Sequence, residues 1–150
     1  MLRFRKLKPA DLPKTDWRSE PLSALLPDGA AYFAQTLEAG DTLFVIFDEG
    51  KPVGVLEMDR EPFGEKPQCA NVGLVMLLPE YRRHGLGRML MVLAAGEAVE
   101  RKLWFLSGAV PDDADAKAFA AAIHLNPTEW FTDRYVLDLS DVEGLRYGRQ

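Results

Sequence analysis

Residues 70–78, Ala-Asn-Val-Gly-Leu-Val-Met-Leu-Leu, form an almost unbroken apolar run that stops at Pro79. A run of this length reads as a strand buried on both faces, which belongs at the centre of a sheet. The chain must therefore supply strands on either side of it and layers above and below. Pro62, Gly64 and Pro67 mark the loop that precedes it. After it, a helix is expected over 85–101, where Leu86, Met89, Leu90 and Leu93 recur at helical spacing and share a face. Glu97 interrupts that stripe and is expected at its rim, within reach of water or a partner. A further buried strand, Leu103 to Val110, makes the order strand, helix, strand, which predicts a parallel crossover.

Upstream, Leu2 to Leu7 alternates as a strand. Thr42 to Asp48 and Pro52 to Met58 flank the turn signal Glu49-Gly50, so they predict an antiparallel hairpin with Val53, Val55 and Glu57 on one face. Between these, Pro9-Ala10-Asp11-Leu12 opens a helical stretch that Pro21 interrupts. Asp28 caps a second helix from Gly29 to Glu38, ended by Gly40. Downstream, Asp112 and Asp113 start an alanine-rich helix through Leu125, and Glu129 to Leu139 is a late strand. The fold class is α+β (α/β), a mixed and mostly antiparallel sheet flanked by helices. No repeat or linker divides residues 1–150, so one domain is expected.

Several function classes are disfavoured by composition. The formal net charge of -5 argues against a phosphate-backbone binder, so no nucleic-acid partner is expected. No apolar run reaches membrane-spanning length and the N-terminus lacks the core of a signal peptide, so neither a membrane nor secretion is expected. The single Cys69 excludes an internal disulfide, and no Cys/His spacing suits zinc, so no metal is expected and a reducing cytoplasm fits.

The stretch that carries chemistry is Leu77-Leu78-Pro79-Glu80-Tyr81-Arg82-Arg83-His84-Gly85-Leu86-Gly87-Arg88-Met89-Leu90. It runs from the buried strand into the helix. Unpaired amides at a helix N-terminus favour anions, and glycines remove the Cβ atoms that would hold a phosphate away. A Walker loop is excluded because Gly87 is followed by Arg88-Met89. A dinucleotide fingerprint would need a small residue where Leu90 stands. The plainer reading is a tight turn beside solvated arginines. Arg82, Gly85 and Gly87 fill the pattern Arg or Gln, two residues, Gly, one residue, Gly or Ala, and here the segment resembles the GNAT superfamily of acyl-CoA-dependent N-acyltransferases. Tyr81, Arg88 and Leu90 agree with the family's flanks, and the hairpin and Leu103 to Val110 stand in family order.

The resemblance implies a splayed parallel strand pair that takes acetyl-CoA. Val75, Met76, Leu77 and Leu78 would offer backbone groups to pantetheine, and the amides of Arg83, His84, Gly85, Leu86, Gly87 and Arg88 would hold the pyrophosphate. Arg82 would add charge or brace the loop. The reaction implied is attack of a primary amine, on a small molecule or a peptide, on the acyl thioester, with an amide near Leu77 stabilising the oxyanion. Glu57, in an otherwise apolar strand where burial would raise its pKa, is the candidate base. Asp59 and Glu61 read as surface acids.

Where the family places a tyrosine that protonates the departing thiolate, this chain has Ala120, with His124-Leu125 after it. Tyr135 or Ser107 are the substitutes. That departure keeps open a noncatalytic acyl-CoA-binding or regulatory protein. A third reading is an interaction protein whose edge strand, Glu129 to Leu139, pairs with another chain. A homodimer is an expectation of the resemblance alone. Trp17, Phe63 and Trp130 are candidates to line an acceptor site.

Overall fold

The computed structural model describes residues 1–7, 40–62, 69–110, 114–123, 125–127 and 134–139. Strand β1 (Leu2–Lys6) pairs antiparallel with β2 (Thr42–Asp48), and β2 with β3 (Lys51–Pro62). Glu49 and Gly50 join β2 to β3 with φ of 49° and 81°. Two left-handed residues give the tight turn whose twist matches the strands it joins. The expected hairpin therefore forms, and β3 runs longer than expected.

Strand β4 (Cys69–Leu77) pairs antiparallel with β3 and parallel with β5 (Phe105–Ala109). Helix α1 (Leu86–Glu100) makes the crossover between them, and α2 (Ala114–Ala122) follows β5. The chain then adds β6 (Asn126–Pro127) and β7 (Arg134–Asp138). The sheet order is β1-β2-β3-β4-β5-β7-β6, with one parallel pair, so β4 is central as its apolar run demanded. Among the described residues, no helix is long and apolar enough to cross a membrane.

Thr42 accepts a hydrogen bond from Arg101 at the end of α1, and its ladder partners Met58, Val72 and Gly108 share its face of the sheet. Residues of the opposite face, Leu43, Val45 and Val55, are equally buried, so both faces are covered.

Helix α1 corrects one expectation. Its buried face is Leu86, Gly87, Leu90, Met91, Ala94, Ala95 and Ala98, while Met89 is 46% exposed and Leu93 only half-buried. Small residues let the helix approach the sheet closely, and the face that packs is the alanine face rather than the bulkier one. Leu86, Leu90 and Met91 still contribute roughly 1.5–3 kcal/mol each by burial. Glu97 does sit at the rim, bonded to Lys6 Nζ at 3.0 and 3.1 Å and to Arg101 Nε at 3.3 Å. The helix ends in a Schellman arrangement: Leu103 N–H reaches Ala98 O, Lys102 N–H reaches Val99 O, and Lys102 takes φ 65°.

The C-terminal region differs from expectation as well. The helix stops at Ala122, and Asn126–Pro127, read as lying outside any strand, form the short β6. β6 pairs with Val136 and Tyr135 of β7 on the side away from β5. β7 therefore lies inside the sheet at these positions, not at its edge. The helices expected between Pro9 and Glu38, Asp112, Asp113, His124, and the aromatics Trp17, Phe63 and Trp130 lie outside the described residues, as does the side chain of Glu61.

Candidate functional site

Glycine at position 73 creates the central opening. Glu57 stands opposite Leu74 and Met58 opposite Val72, so one step along β3 matches two along β4 and Gly73 is left over as a bulge. A bulge bends its strand and increases local twist. The parallel ladder with β5 ends at that level, its last rung being Val72–Gly108. Beyond it the described residues place no strand beside β4 on that side. Cys69 to Val72 are buried, Gly73 is exposed, and Leu74 to Leu77 are half-buried. The apolar run is thus sealed in its first half only, which corrects the expectation of burial on both faces throughout.

Leu78 N–H donates to Val53 O at 3.0 Å, toward β3. Backbone groups alternate sides along a strand, so Met76 also faces β3 while Val75 and Leu77 turn theirs toward the opening. Of Val75, Met76, Leu77 and Leu78, the backbone groups of Val75 and Leu77 are thus the ones turned away from β3. Leu77 O accepts from Arg82 Nε at 3.2 Å, so Arg82 braces the loop.

The chain leaves β4 through Leu78 and a single 3-10 turn, Pro79–Tyr81, and enters α1 behind Gly85, the N-cap. The first helical donor is Met89 N–H, to Gly85 O at 3.1 Å. Among the described residues, the amides of Arg83 to Arg88 have no backbone acceptor, no side chain caps the helix, and no acid stands in its first turn. Such an end carries partial positive charge and unmet donors. Among the described residues, Arg88 Nε is buried without a partner. Arg82, Arg83, His84 and Gly85 are exposed, whereas Leu86 and Gly87 are buried.

The two glycines have different roles. Gly85 has φ 79° and a Cβ there would meet nothing within 4 Å, so its backbone conformation is what requires glycine. A Cβ on Gly87 would lie 3.0 and 3.1 Å from the ring of Phe119 on α2. Gly87 is a packing residue, and the expectation that it clears space for a phosphate is corrected.

Glu57 is buried, at 5% exposure, and its carboxyl carbon lies 3.6 Å from where a Cβ on Gly73 would stand. Asp59 is at the same distance from that point. Carboxylate oxygens of Asp41, Glu57 and Asp59 lie within 4.8 Å of one another. Asp59 is half-buried and accepts from Asn71 Nδ2 at 3.0 Å, so it is no surface acid. Sequence reasoning missed Asp41 and Asn71 here, since strand register alone brings Asp41 to Glu57 and Asn71 to Asp59. The three acids also have a geometry that could hold a cation, a grouping that Cys/His spacing could not reveal.

Ser107 is fully buried beside Asn71, and its hydroxyl lies 3.4 Å from Ala70 O and from Asn71 Oδ1, in the paired part of the ladder. Tyr135 is half-buried and stands opposite Gly108, level with the last rung. Ala120 is buried and offers no hydroxyl. On the loop's outer side, Tyr81 OH donates to Asp48 Oδ2 at 2.5 Å. This bond holds the Asp48 carboxyl below its ordinary range and pushes the Tyr81 phenol above its own.

The model of the acetyltransferase (GNAT) family matches residues 9–124. No curated protein matches the chain. Similar solved structures include AtaTR bound with acetyl-CoA, at TM-score 0.72 and 14% identity over 97% of this chain and 98% of the other. The paia N-acetyltransferase of Thermoplasma acidophilum, in complex with coenzyme A, aligns at TM-score 0.67 and 13% identity over 91% and 96%. The ribosomal-protein-alanine N-acetyltransferase of Brucella melitensis biovar Abortus 2308 aligns at TM-score 0.67 and 18% identity over 88% and 96%. At these identities the likeness is one of fold.

Proposed function

The chain belongs to the acetyltransferase (GNAT) family, and from that membership we propose that it transfers an acetyl group from acetyl-CoA to a primary amine. The observation that carries the reading is the fork at Gly73, where the parallel ladder ends one residue before an open strand edge that leads into an amide-lined helix N-terminus. The residues fit acetyl-CoA on three counts. The amides of Arg83 to Arg88 suit a pyrophosphate. The orphaned Arg88 Nε has a donor to offer an anion. The outward backbone groups of Val75 and Leu77 suit the amides of pantetheine.

The thioester supplies an activated acyl carbon. Val75 N–H, which faces the opening on the fork side of Leu77, would stabilise negative charge developing on the acyl oxygen. An ammonium cannot attack, so a base must first take its proton. Glu57 is the base in this reading, because it stands behind Gly73 at the fork and Gly73 puts no side chain in front of it. Asp41 and Asp59 add negative charge that favours a cationic acceptor. For the thiolate, Tyr135, level with the fork, is the proton donor in this reading. Ser107 lies below the fork with its hydroxyl engaged.

Calorimetric titration with acetyl-CoA tests the reading, alongside Gly85→Val, which forces a β-branched residue into a left-handed conformation. Saturable binding that the folded variant loses is expected. Absence of binding to the wild type would reduce the assignment to a shared fold. A noncatalytic acyl-CoA binder, favoured by Ala120, would bind but release no CoA above hydrolysis on an amine panel.

A further inference from the structure

Asp48 is the last residue of β2, with Leu2 opposite on one side and Lys51 on the other, so the hairpin fixes its position. Tyr81 closes the 3-10 turn from which residues 82–88 emerge. Those residues include Arg83 at φ 65° and Gly85 at φ 79°. A left-handed non-glycine residue costs free energy and persists where its surroundings hold it. The loop's own anchors are local: Tyr81 N–H to Leu78 O, Arg82 N–H to Pro79 O and Arg82 Nε to Leu77 O. Among the described residues, two polar side-chain contacts tie it to distant chain. Arg83 to Asp115 spans 3.7 Å between side chains 86% and 89% exposed, a pair worth little. The other is Tyr81 to Asp48, partly buried and short.

We propose that the Tyr81–Asp48 bond is a strut that positions the 82–88 loop for the pyrophosphate, so that both residues act on ligand affinity through the backbone without touching the ligand. The inference rests on the loop being the pyrophosphate site. At neutral pH an aspartate is ionised and a phenol is not, so the Tyr81 hydroxyl donates to a carboxylate, the stronger class of hydrogen bond.

The test is an NMR titration of wild type, Tyr81→Phe, Asp48→Ala, Asp48→Asn and the Tyr81→Phe/Asp48→Ala double variant. Each is titrated with acetyl-CoA and with acetyl-pantetheine, which lacks the pyrophosphate. Tyr81→Phe and Asp48→Ala should each weaken acetyl-CoA by about ten-fold or more, the scale of one charge-assisted hydrogen bond. The double variant should be no worse than either single, as one shared bond requires. Asp48→Asn, whose amide oxygen still accepts, should recover part of the loss, and acetyl-pantetheine should be indifferent throughout. Unchanged acetyl-CoA affinity in Tyr81→Phe, additive losses, or equal losses for the two ligands would overturn the strut. Should the wild type bind neither ligand, the cofactor reading fails first and takes the strut with it.

Discussion

The two halves of β4 are alike in sequence and unlike in use. Cys69 to Val72 is paired on both sides and buried, while Leu74 to Leu77 is paired on one side and half-buried. Hydropathy does not separate them, since the second half is the more aliphatic of the two. What separates them, among the described residues, is whether a neighbouring strand is present. Apolar side chains without a strand beside them are available to a ligand, so the same composition serves as core in one half and as a binding wall in the other.

The sharpest way to break this contrast is a matched pair of truncations. Leu106→Ala removes a fully buried side chain beside the closed half and should cost about 3 kcal/mol in urea unfolding. Val75→Ala, in the open half, should cost under about 1 kcal/mol yet weaken acetyl-CoA. Equal destabilisation by the two would show that the halves do not differ. A second pair separates the glycines of the loop. Gly87→Ala should lose about 1–3 kcal/mol by overpacking Phe119 and regain it when Phe119→Leu is added, with acetyl-CoA affinity retained. Gly85→Ala has room for its Cβ, so its cost, about 1 kcal/mol from the backbone, should resist such rescue.

At the fork itself, Gly73→Ala places a methyl in ordinary contact with Glu57 and Asp59. Stability should stay within about 0.5 kcal/mol, while turnover on amines falls and acetyl-CoA affinity holds. The smallest effect concerns acid. Asp48 has its pKa lowered from 3.8 by the Tyr81 hydroxyl. Its contribution is therefore complete above 3.8 and is lost as pH falls through the lower folded value. The stability difference between wild type and Tyr81→Phe should be level at neutral pH and shrink in that acid window, as followed by urea titration at stepped pH.

Much of the frame was legible because it rests on local rules. The Glu49-Gly50 turn fixed one hairpin, and the apolar run fixed the central strand. The start of α1 followed from Gly85, and its rim from the misfit of Glu97. The failures share a cause of another kind. Met89 was expected inside and Ala94, Ala95 and Ala98 were overlooked, because residue size, set by how closely helix and sheet approach, decided the buried face. Asp41 was missed because its meeting with Glu57 depends on the β2–β3 register, and Asp59 was misread because its partner Asn71 comes from across the β3–β4 ladder. Gly73 did carry a signal, an isolated glycine in a strand, which often marks a bulge. β6 was missed because a two-residue strand containing proline has no periodicity to detect.

Gly73 adds a single unit of length to β4, and the two-residue alternation of the strand slips by half a period there. The phase of every side chain from Leu74 onward is set by that slip. Removing the residue would bring the far half back into step with the near half and return the strand to the straight course that a parallel neighbour can follow. A substitution at this position changes what stands in the opening, but a one-residue deletion would remove the reason for the opening. The position should therefore tolerate a change of side chain far better than a change of count, and homologues aligned through it should show substitutions there in preference to gaps.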